Sequence, residues 1–254
     1  MTPKFTIITA CLNSEKTVKQ TIESVLNQNY SNIQYIIIDG KSSDNTLGII
    51  KSFKSAFDNI SICYQWISEP DLGIYDAWNK ALKFVDGEWV IFVGSDDVLL
   101  NDSLSSYADL INNGDLEYKF ISSKAELINK NGSYIRTIGN PFNIDKIKHH
   151  MGIIHSGAIH HASLFHDFGN FSLNFGIVAD YEFILRISEK VKFGFLDKTT
   201  IKFRIGGVTF NSSKPIKQTL FLKNHYFPNS KISNRIDFFI ALIKMQIRHT
   251  IRKF

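Results

Sequence analysis

The chain is short of the features that would staple it together or hold it in a bilayer. Only two of its 254 residues are cysteines. Cys11 and Cys63 fall in or beside expected strands without a close-spaced partner, which argues against a disulfide framework or a Cys-rich zinc site and makes a reducing cytoplasm the expected compartment. No apolar run approaches the roughly 20 residues that span a bilayer. Met1 leads within a few residues into a strand rather than into a basic segment and a long apolar core, so no secretory signal is expected. Internal repeats and low-complexity tracts are absent too. Neither sign of charge dominates: 29 basic and 24 acidic residues give a net +5 and are interspersed except near the C-terminus, so nucleic acid is not expected as a partner.

What is present suits a sizeable core, since 44% of the residues are hydrophobic. The organising stretch is Gly87 to Asp97. Trp89 to Val93 is an apolar, β-branched and aromatic run that reads as a strand buried on both faces. It delivers Ser95, Asp96 and Asp97 to a strand end, where an open α/β sheet collects ligands. Carboxylate oxygens there suit Mg²⁺ or Mn²⁺ beside substrate phosphates; the plainer alternative is a helix cap.

Phe5 to Ala10 reads as a first strand, followed by a helix capped by Asn13 or Ser14 that carries Val18, Ile22, Val25 and Leu26 on one face. Tyr35 to Ile38 is a second strand ending at Asp39, and Ser42-Ser43-Asp44 supplies the next cap. Ile60 to Ile67 is a third strand, followed by Ser68 to Gly73 and by a helix with Ile74, Ala77, Trp78, Ala81, Leu82 and Val85 inward. Strand then helix, repeated, implies a parallel sheet with right-handed crossovers. Beyond about Phe120 short strands take over, with a hairpin expected at Lys130-Asn131-Gly132. Six of the eight histidines lie between His149 and His166, yet their spacing matches no compact zinc motif, which favours a polar, acceptor-facing or structural role. Asp180 opens a helix, as a cap or as something more. Val191 to Leu196 and Thr200 to Ile205 read as two strands. From Arg235 to Phe254, Ile236, Phe239, Ile240, Ile243, Ile247 and Ile251 recur at helical spacing, bordered by Lys244, Arg248 and Arg252. Such a helix either lies in an anionic membrane interface or packs on the body of the protein.

Five stretches taken together resemble family 2 of the nucleotide-sugar-dependent glycosyltransferases. They are Ile8 to Asn13, Ser24 to Gln28 before Tyr30, Ile37 to Thr46, Ser68 to Lys80, and Gly94 to Asp97. The resemblance implies a GT-A-like fold: a Rossmann-type, mainly parallel central sheet flanked by helices, a less regular acceptor-side half and a C-terminal amphipathic helix. The domain would span 1–210, with 1–100 binding the nucleotide-sugar and 101–210 facing the acceptor, and 211–254 would form a basic helical tail. Thr9, Ala10 and Asn13 would contact the nucleotide, Asp39 the base or ribose, and Asp71, Gly73 and Asp96 the nucleotide-sugar. Asp97 would be the direct ligand of Mg²⁺ or Mn²⁺, and Asp180 the catalytic base. His161, Glu182 and Gly207 would lie on the acceptor side.

The implied reaction moves a sugar, with inversion, from a nucleoside-diphosphate sugar, UDP-linked for preference, to a hydroxyl of a glycan or lipid-linked acceptor in cell-surface polysaccharide synthesis. The setting would be the cytoplasm, at the inner face of the membrane. The alternatives are a sugar-nucleotide nucleotidyltransferase, which would want a glycine-rich basic loop in place of Thr9 to Ser14, and a catalytically silent membrane-surface module.

Overall fold

A computed structural model of the chain describes residues 2–114, 117–206 and 213–251, with side chains in the last segment up to Gln246. Gly207, the boundary at 210/211, Arg252 and the side chain of Arg248 lie outside the described residues. The first half follows the expected alternation: β1 (Phe5–Cys11), α1 (Val18–Leu26), β2 (Ile33–Asp39), α2 (Thr46–Ser52), α3 (Lys54–Asn59), β3 (Cys63–Ser68), α4 (Ile74–Ala81) and β4 (Trp89–Gly94). The second half comprises β5 (Val98–Leu99), α5 (Ser103–Asn113), β6 (Tyr118–Ile128), β7 (Tyr134–Ile138), α6 (Ile144–Ile147), β8 (Ile159–His161), α7 (Ser163–Phe168), α8 (Ala179–Ile187), β9 (Lys192–Arg204), α9 (Lys214–Tyr226) and α10 (Lys231–Ile251).

The described strands form one sheet in the order β3-β2-β1-β4-β8-β6-β9-β5, with β7 paired to β6. β1, β2, β3 and β4 run parallel, and β6 and β9 form a second parallel pair; β8 joins the two halves by antiparallel pairing on both sides. Successive side chains of a strand point to opposite faces, and two cores follow from that period. Ile8, Ile36, Ile38, Val90 and Phe92 face α4, α7 and α8. Phe5, Ile7, Tyr35, Ile37, Ile91 and Val93 face α1, α3 and α5. The apolar stripe of α4 lies wholly in the first core, as its spacing predicts.

Two expectations are corrected, and one helix is added. Neither Asn13 nor Ser14 caps α1, because the chain makes an extra turn over residues 15–17 before the helix begins at Val18. The two strands expected between Val191 and Ile205 are a single one: β9 (Lys192–Arg204) passes the polar Asp197-Lys198 step with a shift of register against β6. The helix α5 was not foreseen, its Ser103-Leu104-Ser105-Ser106 start being poor in helix formers, but Leu104, Tyr107 and Ala108 bury it against the second core.

Candidate active site

β1 connects by way of α1 to β2 on one side, while its other neighbour is β4. This reversal opens a crevice outside the carboxyl ends of β1 and β4, the usual place for a ligand in such sheets. The loops beyond the two strands meet there, with Ser14 Oγ 2.9 Å from Ser95 Oγ. The loop after β2 interlocks with the loop after β1. Asn13 N–H donates to Ser42 Oγ (2.8 Å), Ser43 N–H donates to Asn13 Oδ1 (2.9 Å), and Ser14 N–H donates to Thr46 Oγ1 (2.7 Å). Asn13 sits at φ 50°, a left-handed conformation that asparagine tolerates better than most residues, and it is exposed at the mouth of the crevice.

Asp71 reaches the same mouth from the β3–α4 loop. It accepts the Gly73 N–H at 2.8 Å, and its Oδ2 lies where a side chain on Gly40 would begin, 2.5 Å from the ideal Cβ position. Only glycine at 40 admits that approach.

Two of the expected nucleotide contacts are placed elsewhere. Thr9 is fully buried and its hydroxyl accepts from Tyr35 Oη at 3.1 Å, so its side chain belongs to the core while that of neighbouring Ala10 is half-buried at the crevice. Asp39 is also fully buried; it accepts from Ser42 Oγ (2.5 Å) and Ser68 Oγ (2.6 Å), tying the ends of β2 and β3 and the β2–α2 loop together.

The paired carboxylates divide. Asp97 is 2% exposed; its Oδ2 accepts from Ser156 Oγ (2.6 Å) and its Oδ1 from Arg204 N–H (3.0 Å). Burial, and then Asp96 beside it, push the Asp97 carboxyl up to about 7. Asp96 is half-buried at the crevice, its carboxyl also raised by burial. No side chain among the described residues donates a hydrogen bond to it, whereas its backbone carbonyl accepts from Arg204 Nε at 3.0 Å. The expectation that Asp97 is the direct metal ligand therefore meets a carboxylate with both oxygens engaged, and the open one is Asp96. Among the described residues no three His, Cys, Asp or Glu side chains gather to hold a metal. A lone strand-end carboxylate at such a crevice fits Mg²⁺ or Mn²⁺, which take one or two carboxylates and leave the rest of their shell to other oxygen ligands. A side chain on Gly94 would begin 2.8 Å from Asp97 Oδ2 and 3.2 Å from Asp96 Oδ1, so glycine there leaves room for the pair.

Arg204, which no sequence motif singles out, ends β9 and clamps this corner. Besides Asp96 and Asp97 it reaches Gln20 Oε1 (2.9 Å) and the carbonyl of Lys130 (3.0 Å). Its position just before Gly206-Gly207 was the available signal.

Asp180 lies in the first turn of α8, half-buried, and accepts the N–H of Tyr181 at 2.8 Å. Val178, not Asp180, is the N-cap. Burial and then the Asp180 charge raise the Tyr75 hydroxyl well above its ordinary range, which puts Asp180 beside the helix that follows Asp71 and Gly73. Asp180 also acts electrostatically on His155, whose neighbour Ser156 holds Asp97. The structure thus brings Ala10, Asn13, Asp71, Gly73, Asp96 and Asp180 to one end of the sheet.

It does not bring His161 or Glu182 there. His161 pairs with Trp89, the first residue of β4, and so sits at the opposite end of the strand from Asp96. Glu182 is buried, bound to Arg186 Nη2 (2.8 Å) and to Tyr226 Oη (2.6 Å), while Arg186 also reaches the carbonyls of Phe168 and Asn170. Helical residues two apart point about 160–200° from each other, and Glu182 points into the packing between α8 and α9.

Of the clustered histidines, His155 and His160 are buried among Trp78, Phe92, Phe120 and Phe165, with their Nε2 atoms 3.2 Å apart. Burial lowers both, opposed for His155 by Asp180 and reinforced for His160 by His155. A depressed histidine contributes stability above its ordinary pKa of about 6.5 and loses it as pH falls further, because only the unfolded chain takes up the proton. Stability against chemical denaturation is expected to fall below about pH 6.5 by up to about 1.4 kcal/mol per pH unit for each histidine. In His160→Phe that acid slope should be shallower, and an unchanged slope would show that the pair is not its source.

Residues 6–167 match the model of glycosyl transferase family 2. The chain belongs to that family, which displaces the nucleotidyltransferase alternative. It is similar to the PGL/p-HBAD biosynthesis glycosyltransferase of Mycobacterium bovis, 27% identical over 188 residues that cover 72% of this chain and 69% of that protein. Among solved structures it resembles S. aureus TarS 1-349 in complex with UDP-GlcNAc, with a TM-score of 0.68 at 19% identity over 86% of this chain; the chain spans 65% of that structure's length. It also resembles the mannosyltransferase PcManGT from Pyrobaculum calidifontis in complex with GDP-Man and Mn²⁺, with a TM-score of 0.65 at 14% identity, covering 91% of this chain and 64% of the other. These likenesses establish the GT-A-like fold.

Proposed function

We propose that the chain moves a sugar from a nucleoside-diphosphate sugar to a hydroxyl of a glycan or lipid-linked acceptor, with inversion, in the assembly of cell-surface polysaccharide. The observation that carries this reading is the convergence of Asn13, Asp71 and Asp96 on the β1/β4 crevice, with the approach to Asp180 tied to α4 where Tyr75 Oη donates to the carbonyl of Ile177 at 3.2 Å. Nucleotides bound by the similar structures, UDP-GlcNAc in one and GDP-Man with Mn²⁺ in another, support the donor class. UDP is the nucleotide we favour.

In this reading Ala10, Asn13, Asp71 and Gly73 border the nucleotide-sugar, and Asp39 acts indirectly by fixing Ser42 and the loop that locks Asn13. Asp96 would hold the divalent ion, which when bound supplies charge neutralisation to the departing nucleoside diphosphate; Asp97 and Arg204 hold Asp96 in place. Asp180 takes the proton of the acceptor hydroxyl as its oxygen bonds to the anomeric carbon. The bond from that carbon to the phosphate oxygen breaks on the opposite face, and the nucleoside diphosphate leaves with the electron pair. A screen of nucleotide-sugars with Mn²⁺ tests the reading: one donor should raise the melting temperature and release its nucleoside diphosphate. Absence of stabilisation and release across UDP-, GDP- and dTDP-sugars would refute it.

No helix among the described residues is long and apolar enough to cross a membrane. We place the enzyme at the cytoplasmic membrane face through α10, which both packs and presents a surface. Its Asn234 is buried and its Asp237 ion-pairs with Lys223 of α9, while Ile232, Ile236, Phe239, Ile240 and Ile243 are exposed beside Lys231, Arg235 and Lys244. Removing the helix would strip α9 of its partner, so the informative variant is Ile236→Ser/Phe239→Ser. It should fold normally yet lose sedimentation with anionic vesicles, binding that salt also weakens because exposed charges are screened over about 8–10 Å. Vesicle binding equal to that of the parent chain would contradict membrane docking through α10.

A further inference from the structure

Between the start of α8 and the α9/α10 pair lies a cavity of about 330 Å³. Asp180 is part of its wall, and Met151, Ile177, Leu220, Phe238 and Ala241 line it from the surrounding elements. Its polar lining is largely committed to itself. Lys223, 1% exposed, ion-pairs with Asp237 and donates to the carbonyl of His149. Asp237 also bonds His149 Nδ1 at 3.1 Å, and Asn234 Nδ2 donates to Asn224 Oδ1 at 3.1 Å. With those groups paired, the wall offers a ligand mainly apolar surface, with the Asp180 carboxylate, the Thr219 hydroxyl and the exposed His150 ring as its remaining polar groups. A polar saccharide carries more hydroxyls than these can meet and would leave several of its own unsatisfied, at a cost that an alkyl or aromatic body does not incur.

We infer that this cavity is the acceptor site and that it selects acceptors whose reacting hydroxyl is attached close to an apolar body, an alkyl or aromatic aglycone, over free polar sugars. The inference rests on the glycosyl-transfer reading for the role of Asp180 and adds the chemistry of the acceptor. Its volume lies at the low end of ligand pockets, roughly 300–1,000 Å³. That suits a single ring or a short chain segment at a time, with any longer part of the acceptor continuing outside.

The probe pair is octyl β-glucoside, below its micellar concentration, and methyl β-glucoside, each titrated calorimetrically into the full chain. The octyl compound should bind at least about tenfold more tightly, since burying only two or three further methylenes yields that factor. Ala241→Phe and Thr219→Phe, which fill the cavity from α10 and α9, should each erase the preference while leaving UDP affinity in Mn²⁺ unchanged. Ile236→Ser, on the exposed stripe of α10, should keep it. Equal affinities for the two glucosides in the parent chain would overturn the inference, as would a preference that survives cavity filling or disappears with Ile236→Ser. Either outcome, with nucleotide-sugar turnover intact, leaves the glycosyl-transfer reading standing. Loss of donor binding and turnover in the parent chain would refute that reading instead, and the glucoside preference would then be decided by binding alone.

Discussion

Asp180→Asn is expected to keep nucleotide and Mn²⁺ affinity while kcat falls by about 10²–10⁴-fold, the scale of general-base catalysis. The substitution keeps the shape of the side chain and an oxygen for the Tyr181 N–H, and Val178 rather than Asp180 occupies the N-cap of α8. The structural cost is then limited to the loss of a negative charge in the first helical turn, about 0.3–1 kcal/mol. Turnover and stability should therefore separate. Glu182→Gln should show the reverse pattern. Its carboxylate, 5% exposed at the side chain, faces Arg186, and breaking a buried pair costs about 3–5 kcal/mol, an upper bound here because Arg186 is 21% exposed. A lowered melting temperature with kcat per folded molecule unchanged is the expected result. If Asp180→Asn transfers sugar at the parental rate, Asp180 is not the base.

The second large effect distinguishes the adjacent carboxylates. Asp96→Asn should abolish the dependence of nucleotide affinity on Mn²⁺ and lower turnover by at least about two to three powers of ten, given the several kcal/mol that a bound metal contributes to charge stabilisation and about 1.4 kcal/mol per decade. Asp97→Asn should act first on stability. Its amide nitrogen would replace one of two acceptors for Ser156 and the Arg204 N–H, and a mismatched buried donor costs about 1–3 kcal/mol. Titrating UDP with and without Mn²⁺ into both variants checks the division. A metal-dependent affinity retained by Asp96→Asn and lost by a well-folded Asp97→Asn would return the ligand to Asp97.

These contrasts mark where the sequence was readable. The strand ends were legible because Trp89 to Val93 and Tyr35 to Ile38 are apolar runs closed by acidic or small polar residues, and a parallel sheet brings such ends together. Which of two neighbours faces the crevice was not legible. Strand side chains alternate, and a strand buried on both faces carries no polar side to set the phase. Thr9 and Ala10 illustrate the point within β1, and Asp96 and Asp97 illustrate it just beyond β4. His161 was misplaced for a related reason: only the antiparallel register of β8 against β4 puts it beside Trp89, and that register depends on contacts distant in sequence. Asp39 looked available because an aspartate at a strand end usually is; Ser42 and Ser68, from two different loops, claim it. The inward face of α10 was hidden because Asn234 and Asp237 read as solvent residues until Lys223 and Asn224 of α9 stand opposite them.

The most direct test of the central assignment, Asp96 for the metal-assisted donor and Asp180 for the proton, is a single-turnover measurement of nucleoside-diphosphate release. It is run with the donor found in the screen and a hydroxyl acceptor, on the parent chain, Asp96→Asn and Asp180→Asn, with nucleotide affinity measured on the same samples. Fast release is expected from the parent chain and release slowed by at least about 10²-fold from both variants, with Asp180→Asn binding donor as tightly as the parent and Asp96→Asn losing its Mn²⁺-dependent affinity. Parental release by Asp180→Asn, or undiminished Mn²⁺-dependent binding by Asp96→Asn, would contradict it.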